Sequence, residues 1–312
     1  MTIRGSGMAE VQVPCTCGEL VQGMMAGMPF LVSCPIDRYS LVRVTLGDSP
    51  ARGTPSSSKA HRAAASTLAL LGCADVPFRL EVSCSLPPCK GFGSSTADVV
   101  GAIAAASEAA GCSLHPEAMA RLAVTVEPSD GTMFPGLALF DHRGGSRWEK
   151  LGSTPPLWVV ALDFDGAVDT VDFNARLDLK GVGSLEAEHG RAMELLRAGL
   201  RQRRWGLVGE AAILSARANQ QLLFKPQLES VIALGRDFHA LGVCAAHSGT
   251  ALGVLFAPED EGRARGLEKE AQQDIPGLLE AWTTRMVDGG VRVLVPSRLE
   301  TGIASGCPFG GE

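Results

Sequence analysis

The sequence is poor in aromatic residues and in basic charge. Phe, Trp and Tyr make up 5% of the 312 residues, and an excess of acidic over basic residues gives a net charge of −6. This charge gives no reason to expect a nucleic-acid partner. Few aromatics among many Ala and Gly favour helices packed closely on sheets over an aromatic-rich binding face.

Long apolar runs are also lacking. No apolar stretch approaches the ~18 residues that a membrane-spanning helix requires. The first ten residues lack the apolar core of a signal peptide. We therefore expect a cytoplasmic protein without a membrane partner.

The nine cysteines include no C-x-x-C pair. Cys15 and Cys17 are the one close pair, and no second ligand pair stands at a spacing that zinc sites use. In a cytoplasmic chain, such cysteines are mostly small buried residues. The sequence therefore does not favour a structural metal site.

The apolar content, 46% of the chain, is sufficient for a buried core in each of two domains. A polar, Gly- and Pro-containing stretch at 152–156 predicts the boundary, which gives domains at 1–155 and 156–312. Hydrophobic periodicity predicts the elements between these limits. The predicted strands are 9–13, 30–36, 38–46, 78–86, 137–140, 157–164, 254–257 and 291–295, and the predicted helices are 59–71, 97–110, 116–126, 185–203, 207–223, 227–241 and 261–273.

A glycine-rich loop at residues 87–96 reads P-P-C-K-G-F-G-S-S-T and precedes the predicted Ala-rich helix. Gly91 and Gly93 allow a tight turn and a close approach to a ligand. Ser95 and Asp98 fit the S-x-x-D capping pattern. The free N–H groups of a helix start attract phosphate. Taken alone, the loop fits a capped surface helix equally well.

Two common phosphate-binding motifs do not fit this loop. No Walker string G-x-x-x-x-G-K-[ST] occurs, and a dinucleotide fingerprint needs Gly where Thr96 stands. The order P-x-x-x-G-x-G-S-S-[AST]-A resembles instead the second motif of the GHMP kinases, the superfamily of galactokinase, homoserine kinase, mevalonate kinase and phosphomevalonate kinase. The resemblance implies that the loop binds the ATP phosphates, with Lys90 as a catalytic cation. The implied contacts are Pro88, Cys89, Lys90, Gly91, Phe92, Gly93, Ser94, Ser95 and Thr96.

The first-motif segment, residues 14–23, reads P-C-T-C-G-E-L-V-Q-G and is predicted to be a turn or a close-approach loop after the first strand. GHMP kinases carry at this place a motif that lines the acceptor site. The resemblance implies acceptor contacts from Cys17, Gly18 and Glu19. Thr16 and Cys17 stand where the family motif usually has a basic residue. This departure from the motif argues against the common GHMP substrates. With L-V-S-C-P-I-D-R-Y-S further on, the segment is similar to the L-threonine-phosphorylating branch, which serves bacterial cobalamin synthesis.

Glu127 and Asp130 stand three residues apart at a turn rich in Pro and Gly. An isolated pair of this kind usually faces water. GHMP kinases place a magnesium-binding Glu and, in some members, a catalytic Asp at comparable positions. The resemblance therefore implies that Ser95 and Glu127 hold Mg²⁺ and that Asp130 is the base. A later acidic run is expected to be a solvated loop whose acids face the acceptor site: Asp163, Asp165, Asp169 and Asp172.

A glycine-containing turn, H-S-G-T-A at residues 247–251, joins two predicted strands. It resembles the third GHMP motif, a hairpin pressed against the glycine-rich loop, which implies substrate contacts from Ser248 and Gly249. His247 is interpreted as structural, because the chemistry of the family places no base there.

The resemblance as a whole implies an α+β, two-lobed GHMP-kinase fold. The N-terminal lobe is expected to be mixed α/β of the ribosomal protein S5 domain 2-like type, and the C-terminal lobe ferredoxin-like. The implied reaction uses ATP and Mg²⁺ to convert L-threonine to O-phospho-L-threonine for cobalamin. The alternatives are a homoserine kinase, another GHMP small-molecule kinase or a catalytically silent ligand sensor. Retention of both acids argues against the sensor, and the oligomeric state stays open between a monomer and a homodimer.

Overall fold

The computed structural model describes residues 7–47, 55, 58–166, 168, 175, 181 and 184–295. Asp169 and Asp172 of the predicted acidic run lie outside this part, as do most of a Pro-, Gly- and Ser-rich loop that the sequence predicts at 48–58 and the tail after residue 296. The strands within it are β1 (Met8–Met25), β2 (Met28–Leu46), β3 (Phe78–Cys84), β4 (Leu137–Phe140), β5 (Trp148–Gly152), β6 (Trp158–Phe164), β7 (Gly242–Ala245), β8 (Leu252–Phe256), β9 (Leu278–Arg285) and β10 (Arg292–Val295). The helices are α1 (Lys59–Leu70), α2 (Ser94–Ala109), α3 (Pro116–Val126), α4 (Glu186–Gln202), α5 (Trp205–Asn219), α6 (Leu228–Asp237) and α7 (Glu261–Asp274). No helix of the described part is long and apolar enough to cross a membrane.

One sheet connects both halves of the chain, in the order β5-β4-β2-β1-β7-β8-β6-β9. The described elements of the second half run β6, α4, α5, α6, β7, β8, α7 and β9, and the strands stand in the order β7-β8-β6-β9. This β-α-β-β-α-β arrangement is the ferredoxin-like type. It confirms the fold expected for the C-terminal lobe, while the boundary at residue 155 stays a prediction.

Strand β1 is the central element, because it pairs with β2, β7 and β10. Its pairing with β2 shifts register between Pro14 and Val21, where Gly18 has a φ of +64°. The first-motif segment therefore lies within a long irregular strand, and the predicted turn is wrong. The irregularity follows from the left-handed backbone that glycine permits.

Helix α2 is buried on nearly all sides, in keeping with its Ala-rich and almost uncharged sequence. A Cβ at Gly101 would lie 2.5 Å from Val42 Cγ2, so the helix lies directly on β2. This close packing of α2 on β2 fixes the position of the helix start at Ser94. The glycine-rich loop that precedes Ser94 is thereby anchored to the core of the first half.

Three local predictions are wrong. Gly93 is the N-cap of α2 and no side chain caps the helix, because Ser95 donates to Glu127 and Asp98 accepts from Ser40 at 2.5 Å. Asp163 lies in β6, 6% exposed, and pairs with Lys90 rather than with water. The edge strands β5 and β9, which periodicity alone did not reveal, complete the sheet.

Two helical glycines give a matched test of the packing. A Cβ at Gly209 in α5 would lie 2.0 Å from the Leu241 carbonyl oxygen, whereas a Cβ at Gly190 in α4 would meet nothing within 4 Å. Gly209→Ala should lower the free energy of unfolding by about 1–3 kcal/mol through overpacking. Gly190→Ala should raise it by about 0.5–1 kcal/mol through helix propensity. Urea denaturation of both variants checks the pair, and equal effects would contradict the packing described.

Candidate active site

The glycine-rich loop is held by backbone hydrogen bonds from three other parts of the chain, one of which is Val168, whose amide donates to the Cys89 carbonyl at 2.9 Å. The Thr16 and Gly18 amides of β1 donate to the Phe92 and Gly91 carbonyls at 2.9 and 3.2 Å. The Ala251 amide, at the end of the predicted hairpin turn, donates to the Lys90 carbonyl at 2.9 Å. The three motifs of the sequence therefore meet at this loop.

Glycine is required in the loop by its protein neighbours. Gly91 and Gly93 have φ values of +93° and +64°. A Cβ at Gly93 would lie 2.5 Å from Thr16 Oγ1 and 2.7 Å from Asp130 Oδ2, and one at Gly91 would lie 2.2 Å from the Ala246 Cβ. Both the backbone conformation and the space exclude a side chain at these positions. The sequence predicted that a ligand approaches these glycines closely. On this side of the loop, the atoms that approach them belong to the protein itself.

A cleft of about 530 Å³ opens where the loop leads into α2. The first amides of a helix have no partner within the helix and carry partial positive charge. Ser94, Ser95 and Thr96 stand at that start, so the cleft has the properties of an anion site at one end. Its walls are formed by Glu19, Leu31, Cys89, Gly91, Phe92, Gly93, Ser94, Ser95, Thr96, Glu127, Pro128, Asp130, His142, His247 and Ser248.

Glu127 is 3% exposed and is bound by two side chains. The Ser95 hydroxyl donates to one carboxylate oxygen, and the Lys59 ammonium lies 2.6 Å from the other. Sequence reasoning missed Lys59, because it opens α1, 68 residues before Glu127, with no motif around it. Ser95 and Glu127, which the resemblance implies as ligands of one Mg²⁺, are in direct contact, and their role as metal ligands stays a prediction.

The donor set at Ser95 and Glu127 fits Mg²⁺. Kinase magnesium is bound through one or two carboxylates, with waters and substrate phosphates completing the shell. A hydroxyl and a carboxylate in contact beside a phosphate-type site match that requirement. Within the described residues no group of three or more His, Cys, Asp or Glu could hold a metal, so a cage made entirely by side chains is not present there.

Asp130 faces Glu127 across the same cleft. Burial, and next the charge of Glu127, raise the pKa of Asp130 to about 6, while a hydrogen bond from Thr16 lowers it. The Thr16 hydroxyl lies 3.4 Å from Asp130 Oδ2, and the Asp130 amide donates to Thr96 Oγ1 at 3.2 Å. An ionised carboxylate with a pKa near neutrality is suited to accept a proton.

Glu19 is the third carboxylate of the cleft, and it is 3% exposed. Burial and the charge of Asp130 raise the pKa of Glu19 well above its usual range, against a lowering by Ser33. Strand pairing places Glu19 directly opposite Ala245 of β7. The first-motif segment therefore runs beside β7, the strand that leads into the glycine-containing turn at residues 247–251.

His247 lies in this cleft wall with its ring packed edge-on against His142, at 4.9 Å between centroids. Its Nδ1 donates to Gln22 Oε1 at 2.7 Å, and Gln22 in turn donates to the Ala245 carbonyl. Burial and the charges of His142, Lys225 and Arg143 lower the pKa of His247 well below its usual range. His247 is therefore a neutral wall residue, tied to the first-motif segment through Gln22.

Five residues that the sequence placed in the site are not among the cleft walls. The Lys90 ammonium donates to the Phe164 carbonyl at 2.6 Å and lies 3.3 Å from Asp163 Oδ1. Cys17 is fully buried against Leu252, and a Cβ at Gly249 would lie 2.3 Å from the Lys90 carbonyl oxygen. Gly18 supports the loop, and Pro88 is exposed. Direct contacts from these residues to ATP or acceptor stay predictions.

Comparison with solved structures identifies the fold. The homoserine kinase of Cytophaga hutchinsonii superposes with a TM-score of 0.73 over 94% of this chain and 99% of that structure, at 17% identity. The two-lobed α+β fold expected from the sequence is thereby confirmed. At 17% identity the superposition establishes the fold, and the activity is argued from the sequence relatives below.

Comparison with known sequences identifies the family. Residues 58–135 match the GHMP kinases N terminal domain. The L-threonine kinase of Citrobacter freundii is 35% identical over 255 residues, which are 80% of this chain and 86% of that protein. The L-threonine kinase of Salmonella typhimurium (strain LT2) is 31% identical over 295 residues, 93% and 97% of the two chains. The chain belongs to the GHMP kinases, and it is an ATP-using phosphotransferase with an alcohol group as acceptor.

The raised pKa of Asp130 predicts that an amide at this position stabilises the fold. The folded pKa of about 6 lies above the ordinary 3.8, so the folded state binds more protons and wild-type stability falls as pH rises through that window. Asp130→Asn removes this penalty. Its unfolding free energy should exceed the wild-type value by on the order of 1 kcal/mol above pH 6, since the side chain retains some solvent contact in the cleft.

Chemical denaturation without nucleotide or divalent cation, at several pH values from about 4 to 7.5, measures this difference. The advantage of Asp130→Asn should shrink toward zero at the acidic end. A difference that does not change with pH would contradict the assigned pKa of Asp130.

Proposed function

We propose that this protein is a magnesium-dependent L-threonine kinase that makes O-phospho-L-threonine for the side chain of cobalamin. The observation that carries the proposal is the single cleft in which the helix start at Ser95 faces Glu127 and Asp130. The two L-threonine kinases that match most of the chain support the choice of acceptor. The supporting sequence feature is the first-motif segment, which lacks the usual basic residue.

The glycine-rich loop and the start of α2 would bind the ATP phosphates. Backbone N–H groups there are fixed in place before the reaction, which lowers the cost of reorganisation as charge develops. Ser95 and Glu127 would hold Mg²⁺, which neutralises phosphate charge when it is bound. The Lys59 ammonium, 2.6 Å from Glu127, adds a fixed positive charge to the same wall.

Asp130 would accept the proton of the acceptor hydroxyl. Its pKa of about 6 leaves it ionised at neutral pH yet basic enough to accept a proton. The Thr16 hydroxyl and the backbone contact to Thr96 orient the carboxylate toward the cleft. Phosphoryl transfer asks for little covalent chemistry from the protein, so position and charge carry the catalysis.

Two alternatives remain from the sequence. A homoserine kinase shares the scaffold, as the superposition shows for the fold. A catalytically silent ligand sensor would need neither Glu127 nor Asp130, and the structure brings both to the cleft. A cytoplasmic location, the absence of nucleic-acid and membrane partners and a homodimer stay predictions.

An acceptor panel tests the substrate. L-Threonine should support magnesium-dependent ADP release far above that with homoserine or mevalonate. The reason is the departure of the first-motif segment from the usual acceptor motif. A coupled ADP assay measures the release, with a reaction lacking acceptor as the control. Equal or better turnover of homoserine would reject the threonine assignment and leave the kinase class intact.

Two substitutions separate the metal site from the base. Asp130→Asn keeps the shape and removes the proton acceptor, so turnover should fall by about 10²–10⁴-fold with less change in threonine binding. Glu127→Gln should raise the magnesium requirement, because an amide is a poorer ligand for a hard cation.

Titration of magnesium at saturating threonine distinguishes the two variants. Excess magnesium should partly restore Glu127→Gln and should leave Asp130→Asn unchanged. Near-normal turnover of Asp130→Asn would show that the hydroxyl proton passes to phosphate without a protein base, and Asp130 would then be a turn residue.

A further inference from the structure

Glu19 is a buried carboxylate with an unpaired oxygen at the wall of the cleft. Its side chain is 3% exposed, and its Oε2 atom has no hydrogen-bond partner. None of the ion pairs in the described part of the chain involves Glu19. Among the described residues, Ser33 is the one hydrogen-bonding side chain that acts on the pKa of Glu19. An ionised carboxylate buried with so little compensation is costly, and a cation would offset that cost.

Three lysines and one histidine near the cleft are engaged elsewhere. Lys59 binds Glu127, Lys90 binds Asp163 and the Phe164 carbonyl, and Lys225 donates to the Ala246 carbonyl at 2.8 Å. His247 is neutral, and its Nδ1–H is directed at Gln22. None of these four residues neutralises Glu19, so a ligand with a positive charge would offset the cost of ionising this buried side chain.

The position of Glu19 relates it to the reacting hydroxyl. Asp130 is near enough for its charge to act on Glu19, and both carboxylates line one cleft. Leu31 adds an apolar surface to the same cleft. Two adjacent acids and one apolar wall match a molecule with neighbouring ammonium and hydroxyl groups and a methyl. In threonine these two polar groups are on adjacent carbon atoms, whereas homoserine has one more carbon between them.

We infer that Glu19 binds the ammonium group of the acceptor and thereby selects an amino acid over a hydroxy acid. The inference rests on the proposed function, because it takes the acceptor to be a 2-amino alcohol. Glu19 would fix the ammonium while Asp130 receives the neighbouring hydroxyl. The orphan carboxylate and the substrate cation would then neutralise one another inside the cleft.

Paired substrates test Glu19 directly. (R)-3-Hydroxybutanoate keeps the hydroxyl, the methyl and the carboxylate of L-threonine and lacks the ammonium. Glu19→Gln keeps the shape of the side chain and removes its charge. The ratio of kcat/KM for L-threonine to that for (R)-3-hydroxybutanoate should fall by about 10- to 100-fold in Glu19→Gln, the loss expected for a hydrogen bond between charged groups.

Controls separate recognition from folding. Glu270→Gln, a charge-matched change on an exposed helical residue, should leave the substrate ratio unchanged, and Glu19→Asp should restore part of it. Calorimetric titration of L-threonine without nucleotide should show the same loss of affinity in Glu19→Gln. The melting temperature of Glu19→Gln should equal or exceed that of the wild type, because a buried charge is removed.

The outcomes distinguish this inference from the proposed function. An equal loss for both substrates in Glu19→Gln, or no loss for threonine, would overturn the role of Glu19 and leave the threonine kinase intact. If the wild type prefers homoserine, the threonine assignment fails. The role of Glu19 is then tested by the ratio of kcat/KM for homoserine to that for 4-hydroxybutanoate, which lacks the ammonium. A wild type that prefers acceptors without an ammonium overturns both.

Discussion

The arrangement of the active site depends on four backbone hydrogen bonds to the glycine-rich loop. Two come from β1, at Thr16 and Gly18, one comes from Ala251 in the turn between β7 and β8, and one comes from Val168. The loop has no regular structure of its own, and its left-handed residues would be poorly determined without these contacts. Since α2 follows the loop directly, the same bonds determine where the helix start is directed. The first-motif segment, the glycine-rich loop and the turn at residues 247–251 are thus connected by hydrogen bonds into one unit.

The cleft brings three carboxyl groups together, and their burial and mutual repulsion lower the stability of the fold. Glu19 and Asp130 both have raised pKa values through burial and mutual repulsion with neighbouring acids. Lys59 neutralises Glu127 alone. The ligands proposed above, a metal ion and an ammonium group, would bring positive charge and relieve this repulsion between carboxylates.

The sequence predicted all seven described helices and most of the strands, because Gly and Pro residues at element ends and apolar periodicity are local signals. It predicted the partnership of Ser95 and Glu127 through resemblance to a family, and the structure places the two in contact. It missed Lys59, the irregular strand at residues 14–23 and the pairing of Asp163 with Lys90. Each of these depends on a contact between residues far apart in the chain, which no local pattern encodes. The prediction of a Ser95–Asp98 cap was wrong for the same reason, since both residues form hydrogen bonds with side chains far away in the sequence, Ser95 with Glu127 and Asp98 with Ser40.

The sheet order also constrains how the protein is made. Strand β1 pairs with β10, so the first described strand and the last lie together, and the central strand also contacts β7 more than 220 residues later. Pairings of such long sequence separation form slowly, and a chain leaving the ribosome presents its N-terminal part first. The glycine-rich loop emerges long before Ala251, which supplies one of its hydrogen bonds. A nascent chain therefore exposes the glycine-rich loop without one of its hydrogen bonds until Ala251 has been synthesised.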